Sequence, residues 1–131
     1  MKHPVQKGDL TVLRVSLALM ERGEVVLKPI SDNSRYDLAL DRDGRLFRVQ
    51  CKTGRLRNGA VAFNTCSTSL SVYGGRRRDY IGQIDAFGVY CEGKVYLVPI
   101  DRVVGRTSQY LRVAQVKKLG RSRLLAIEFE V

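Results

Sequence analysis

The sequence predicts an α/β chain of α+β character, with one N-terminal helix leading a mostly antiparallel meander of strands. Three observations carry this expectation. Residues 9–22 space their apolar side chains as a helix does, whereas the later chain alternates or runs in short apolar blocks. Two turn-forming pairs, Asp43-Gly44 and Asn58-Gly59, each lie between such blocks and favour tight type I′ hairpins. The 131 residues contain no repeat, low-complexity tract or linker, so 1–131 reads as one domain.

Taken in order, Leu10, Leu13, Leu17 and Met20 form one helical stripe, and Gly23 stands where a C-cap belongs. Val25-Val26-Leu27 is a short strand ended by Pro29. Residues 35–40 and 46–52 alternate on either side of the first turn. With Asp43 and Gly44 as that turn, Leu38 pairs with Val49, Leu40 with Phe47 and Tyr36 with Cys51, all six on one apolar face. The other face then brings Asp37 opposite Gln50, with Lys52 two residues on. The second turn sets Leu56 against Val61 and extends the sheet to about residue 67. Residues 69–83, with Arg76, Arg77 and Arg78 after two glycines, lack a period and read as an exposed basic loop. Residues 86–91 and 94–99 are strands around a Glu92-Gly93 turn, and residues 100–104 form a short helical turn. Residues 110–113 and 124–129 read as late strands, joined by a basic turn holding Lys117, Lys118, Arg121 and Arg123.

Composition narrows the function. Lys and Arg number 23 against 13 Asp and Glu, a net charge of +10. Sixteen of these cations are Arg, whose planar fork grips phosphate with two hydrogen bonds, so the partner implied is a polyanion. The three cysteines, Cys51, Cys66 and Cys91, are far apart with no CxxC pair, which argues against a zinc ribbon or disulfide scaffold. His3 is the lone histidine, so Ser-His-Asp or Cys-His catalysis is set aside. The apolar stretch at residues 10–20 carries Arg14, is too short to cross a bilayer and lacks a cleavage pattern. A cytoplasmic protein, in a prokaryotic cytosol or nucleoid, is expected.

What remains for chemistry is carboxylate, amide, lysine and arginine. Asp37 and the Gln50 side-chain oxygen are hard donors suited to Mg²⁺, and the Cys51 carbonyl is a third. Lys52 on the same face can hydrogen-bond a water or stabilise charge developing on phosphorus. The plain alternative for Asp37 and Lys52 is a cross-strand ion pair beside a polar Gln50.

Tyr36-Asp37, followed after one hairpin by Gln50-Cys51-Lys52, resembles the PD-(D/E)XK nuclease motif. The wider strings, 33–38 and 48–53, resemble the subgroup with Gln in the second acidic position. That subgroup includes intron-associated homing endonucleases and shares its core with archaeal Holliday-junction resolvases. Tyr80, Asp85-Ala86-Phe87 and Tyr96-Leu97-Val98-Pro99 also look like it, so the resemblance runs over about residues 7–99. It implies a restriction-endonuclease-like α-β-β-β-α-β core on a mixed, mostly antiparallel sheet, Mg²⁺-dependent DNA cleavage (Mn²⁺ as a substitute) and a homo-oligomer, dimer or tetramer. It implies Asp37 and Gln50 as metal ligands and Lys52 as the catalytic lysine. Two positions depart from the pattern. Tyr36 replaces Pro, and Val12 stands where a helix Glu is common. Asp9, three residues before Val12 on the same helical face, is the substitute ligand or else a charge favourable to the helix N-terminus.

The sequence thus points to a metal-dependent DNA endonuclease with no membrane role. Arg35, Arg55, Arg57, Arg76, Arg77 and Arg78 are the candidate DNA contacts, while Tyr80 and Asp85 read as structural. The rival readings are a resolvase-like or repair nuclease, a non-catalytic nucleic-acid-binding module on the same scaffold, and a structural component of an RNA–protein particle.

Overall fold

Pro4 opens helix α1 (Pro4–Glu21) at the one turn where a missing N–H costs nothing, and the His3 ring nitrogen accepts the Val5 N–H at 3.2 Å. The apolar stripe starts only at Leu10, which is why this first turn escapes a periodicity reading. At the other end Gly23 takes φ +87°, and the Gly23 and Glu24 N–H groups bond to the Met20 and Leu19 carbonyls at 2.9 and 3.1 Å. This is a Schellman stop that glycine adopts without strain. The computed structural model describes residues 3–31, 33–69, 76–104, 107–113 and 124–131.

The stripe Leu13, Leu17 and Met20 faces outward, each about 60% exposed, and the opposite face is buried through Thr11, Val15 and Leu19. Both faces of α1 carry apolar residues at helical spacing, so periodicity does not choose between them. The sheet chooses. Gly88 leaves a gap into which Val15 packs, so closely that a Cβ there would lie 2.7 Å from the Val15 Cγ1.

Strands β1 (Val25–Leu27), β2 (Leu38–Arg42), β3 (Arg45–Thr53), β8 (Ala86–Cys91) and β9 (Lys94–Pro99) build the main sheet in the order β1-β2-β3-β8-β9. All neighbours are antiparallel except β3 and β8, which run parallel. The first hairpin turns on Asp43 and Gly44, both at positive φ, with Leu38 against Val49 and Leu40 against Phe47 as expected. Tyr36 departs from that register. The ladder ends at Leu38, and Tyr36 packs on the sheet's other side with the cluster of Phe63, Tyr80 and Phe87, whereas Cys51 joins the cluster under α1.

A parallel neighbour needs a long crossover. Here β4 (Arg55–Arg57), β5 (Ala60–Asn64), β6 (Cys66–Ser69) and β7 (Arg76–Asp79) supply it. Among the described residues no second α-helix occurs, so these strands occupy the place where the family resemblance implies one. The Asn58-Gly59 turn sets Leu56 against Val61, but β4 and β5 join β10 (Ser108–Arg112) in a separate sheet of order β10-β5-β4 rather than extending the first. The expected basic loop also resolves differently: β7 pairs with β6, Arg78 opposite Ser67, because backbone pairing needs no apolar alternation. Residues 124–129 form no strand. Leu125 and Glu130 make single bridges to Arg112 and Tyr96 around a 3₁₀ turn, Ala126–Glu128. The short turn after β9, Ile100–Arg102, is as expected, and the basic turn with Lys117, Lys118, Arg121 and Arg123 lies outside the described residues. Among the described residues no helix is long and apolar enough to cross a membrane.

Gly88→Ala should lower unfolding free energy by about 1–3 kcal/mol, since stiff Val15 must yield. Leu17→Ala on the outer face should change it by less than about 0.5 kcal/mol. Urea melts of both variants decide this; equal losses would contradict the helix orientation.

Candidate active site

The site lies just before the first residue of β2, where the ladder with β3 ends. On β3 the even residues turn their peptide groups toward β8: the Asp85 N–H bonds to the Arg48 carbonyl at 2.8 Å, and the Gly54 N–H to the Tyr90 carbonyl at 2.7 Å. Odd residues therefore face β2, and the Asp37 N–H reaches the Val49 carbonyl at 3.0 Å. Two residues on, the Cys51 N–H has no strand opposite it. The Asp37 carboxylate takes it instead, with Oδ2 accepting at 2.9 Å. The Cys51 carbonyl projects toward the same open edge by the alternation of the strand.

That alternation also places half-buried Gln50 and Lys52 on the face away from α1, while Val49 and Cys51 point beneath the helix. Asp37 thus meets Cys51 through its backbone, not Gln50 in a paired register. Burial raises the Asp37 pKa above the usual carboxylate value, against the opposing pull of the Cys51 hydrogen bond and the Lys52 and Lys28 charges. Burial, then the Asp37 charge, pushes the Cys51 thiol up as well, which makes it an inert core thiol.

A cleft of about 400 Å³ opens beside Asp37, and Asp9, Lys28 and Tyr36 line it with Asp37. Val12 turns away, packing into the cluster between α1 and the sheet. The position where a helix Glu is common is therefore committed to the core, and the carboxylate α1 offers to the cleft is Asp9. Among the described residues no group of three His, Cys, Asp or Glu is arranged to hold a metal. The oxygen donors that line the cleft are Asp37 and Asp9, and half-buried Gln50 adjoins Cys51 on β3. Oxygen donors in small number fit Mg²⁺ or Mn²⁺, which retain waters.

Lys52 lies across the sheet face from the cleft wall. Its Nζ donates to the Tyr80 hydroxyl at 3.3 Å and to the Cys66 carbonyl at 3.4 Å. Next to it Thr53 shares a 2.7 Å hydroxyl hydrogen bond with buried Thr11, tying α1 to the end of β3.

The arginines divide. Arg35 turns inward: Nε donates to Gln83 Oε1, Nη1 to Ser67 Oγ at 2.8 Å and Nη2 to the Asp79 carbonyl at 2.7 Å. Arg55 and Arg57 are exposed on β4. Arg76, Arg77 and Arg78 lie consecutively on β7, opposite Ser69, Thr68 and Ser67. Arg48 is a further structural group: its backbone N–H and Nε both donate to Asp85 Oδ2, at 2.7 and 3.2 Å, which fixes β8 beside β3. Burial would raise the Asp85 pKa, but the Arg48 hydrogen bonds and charge together bring it below the usual value. Tyr80 and Gln83, which complete the surroundings of Lys52 and Arg35, come from a stretch without periodicity. The sequence signal for Tyr80 is its place in the family resemblance, and Gln83 has none.

A family model described as PD-(D/E)XK endonuclease matches residues 2–130. The chain belongs to that family. A solved structure of a bacterial homing endonuclease is similar, with a TM-score of 0.78, 24% sequence identity, and coverage of 98% of this chain and 89% of that one. At this identity the likeness establishes a shared fold, the restriction-endonuclease-like α+β fold that the hairpin motif implied. No curated protein matches the chain.

Because folding raises the Asp37 pKa, the folded state binds more protons than the unfolded state as pH falls. Ionised Asp37 therefore lowers stability at neutral pH, and this penalty fades through the acid range. Asp37→Asn, which keeps an oxygen for the Cys51 N–H, should raise Tm at neutral pH, with the gain shrinking on acidification. Thermal melts against pH test it; a lower Tm for the variant at neutral pH would show that the Lys charges outweigh burial.

Proposed function

We propose that this endonuclease-family chain hydrolyses DNA phosphodiester bonds with a divalent cation, in the manner of a homing endonuclease. The observation that supports it best lies at the end of β3, where the Cys51 N–H anchors the Asp37 carboxylate between Gln50 and Lys52, with the Lys52 charge acting on that carboxylate. Asp37, Gln50 and the Cys51 carbonyl would hold Mg²⁺, or Mn²⁺ in its place, with Asp9 adding a second carboxylate across the cleft. When bound, that cation supplies Lewis-acid stabilisation of the phosphate's developing charge.

The chain's own groups do the rest. The Cys51 N–H anchors one oxygen of the Asp37 carboxylate, which lines the cleft, and so restricts its rotamers before any ligand arrives. Lys52 donates a hydrogen bond toward the attacking water or a non-bridging phosphate oxygen, where negative charge grows. Asp37 and Lys52 cancel in charge, so attraction of the polyanion falls to the wider surface and its net +10. Exposed Arg55 and Arg57 on β4 and the triple Arg76, Arg77, Arg78 on β7 are the proposed backbone contacts. Cutting both strands calls for two such sites, so we take the active form to be a homo-oligomer, a dimer or tetramer, acting in the cytosol or on the nucleoid. Arg35, half-buried and bonded to Gln83, Ser67 and the Asp79 carbonyl, has fewer donors to offer DNA than exposed Arg55 and Arg57.

Purified protein should nick or linearise DNA only with Mg²⁺ or Mn²⁺. Lys52→Ala should cut at least about 100-fold more slowly while binding DNA within a few-fold of wild type. Asp9→Asn should cut as fast at saturating Mg²⁺ but need several times more metal to reach half-maximal rate. Metal-independent cutting, or full activity in Lys52→Ala, would overturn the assignment. Metal-blind DNA binding with no cutting of plasmid, branched or single-stranded DNA would favour the binding-module reading instead.

A further inference from the structure

Tyr80 precedes β8 and is 3% exposed, with its ring set edge-on against Phe87 at a centroid distance of 5.6 Å. Two cations share it. The Arg35 guanidinium carbon lies 4.0 Å from the ring centroid and the Lys52 ammonium 4.9 Å. Arg35 is held by three hydrogen bonds, one from each guanidinium nitrogen, to Gln83, Ser67 and the Asp79 carbonyl. These partners come from β6, the end of β7 and the turn before β8, so Arg35 locks Tyr80 in place from several sides. The lysine is then held in turn, with the Tyr80 hydroxyl accepting from its Nζ at 3.3 Å and the Cys66 carbonyl at 3.4 Å.

An ammonium carries three N–H bonds and a long, flexible stem. With two N–H bonds occupied, one direction remains. We propose that Tyr80, braced by Arg35, is the positioning residue for Lys52: phenol and Cys66 carbonyl take two N–H bonds and leave the third for the substrate. The inference rests on Lys52 acting at the phosphate, as proposed above. It gives Arg35 a role inside the site, two contacts from the substrate, and it gives the β6–β7 hairpin a part in catalysis through the Cys66 backbone. The electron-rich ring face adds to the hold, since a partly desolvated ammonium is attracted to it.

Tyr80→Phe removes the hydroxyl and keeps the ring, so the fold should survive. Two readouts test the proposal. In DNA cleavage at saturating metal, kcat should fall about tenfold or more while KM stays within twofold, because ground-state DNA binding does not use this contact. In the metal-free protein without DNA, trace acylation followed by mass spectrometry should label the Lys52 amine several times faster in Tyr80→Phe, with exposed Lys94 unchanged. Lys52 labelling at the wild-type rate would overturn the proposal, as would an unchanged kcat. The labelling arm stands apart from nuclease activity. If the wild type cuts no DNA, the functional reading fails while labelling still decides whether Tyr80 holds Lys52.

Discussion

The hydrogen bond from the Cys51 N–H to the Asp37 carboxylate is the constraint on which the site depends. An N–H stranded at the end of a ladder must find an acceptor, or its desolvation costs about 1–3 kcal/mol. By starting β2 only at Leu38, the chain leaves that acceptor to be a side chain, and the side chain supplied is an acid. One interaction therefore closes the sheet end and anchors a carboxylate beside the cleft. Burial raises the Asp37 pKa against the pull of that hydrogen bond, a cost to the folded state. A bound cation would relieve it, which links metal affinity to the same burial that weakens the apo protein.

Much of this arrangement is legible in the residues, and the reason is locality. A two-residue turn at Asp43 and Gly44 leaves no freedom of register, so Leu38 against Val49 follows from sequence and fixes the faces of Gln50 and Lys52. The same holds for Leu56 against Val61. Where two answers satisfy the same local pattern, the sequence is silent. Helix α1 has two apolar faces, and the choice between them comes from Gly88 on a strand more than sixty residues away. The turn of Tyr36 off the ladder is also decided at long range, by its packing with Phe63, Tyr80 and Phe87.

The site divides along the same line. Asp37, Gln50 and Lys52 belong to one hairpin and are readable. Tyr80, Gln83 and the inward turn of Arg35 join segments 28 and 48 residues apart, in a stretch with no period to betray them. Arg35 illustrates the limit well. As a residue in a strongly basic chain it reads as a phosphate contact, yet three hydrogen bonds and an aromatic face hold it inside. Val12 illustrates the converse, since its place in the core explains how a helix of this family can drop an acid and remain packed.

The most direct test of the central claim is a pH titration of the Cys51 backbone amide by ¹H–¹⁵N NMR, repeated with Mg²⁺. The account predicts that this amide titrates with a midpoint above the ordinary carboxylate value of about 3.9, and that Mg²⁺ shifts it and lowers the midpoint. An amide that does not titrate, titrates at or below that value, or ignores Mg²⁺ would contradict it.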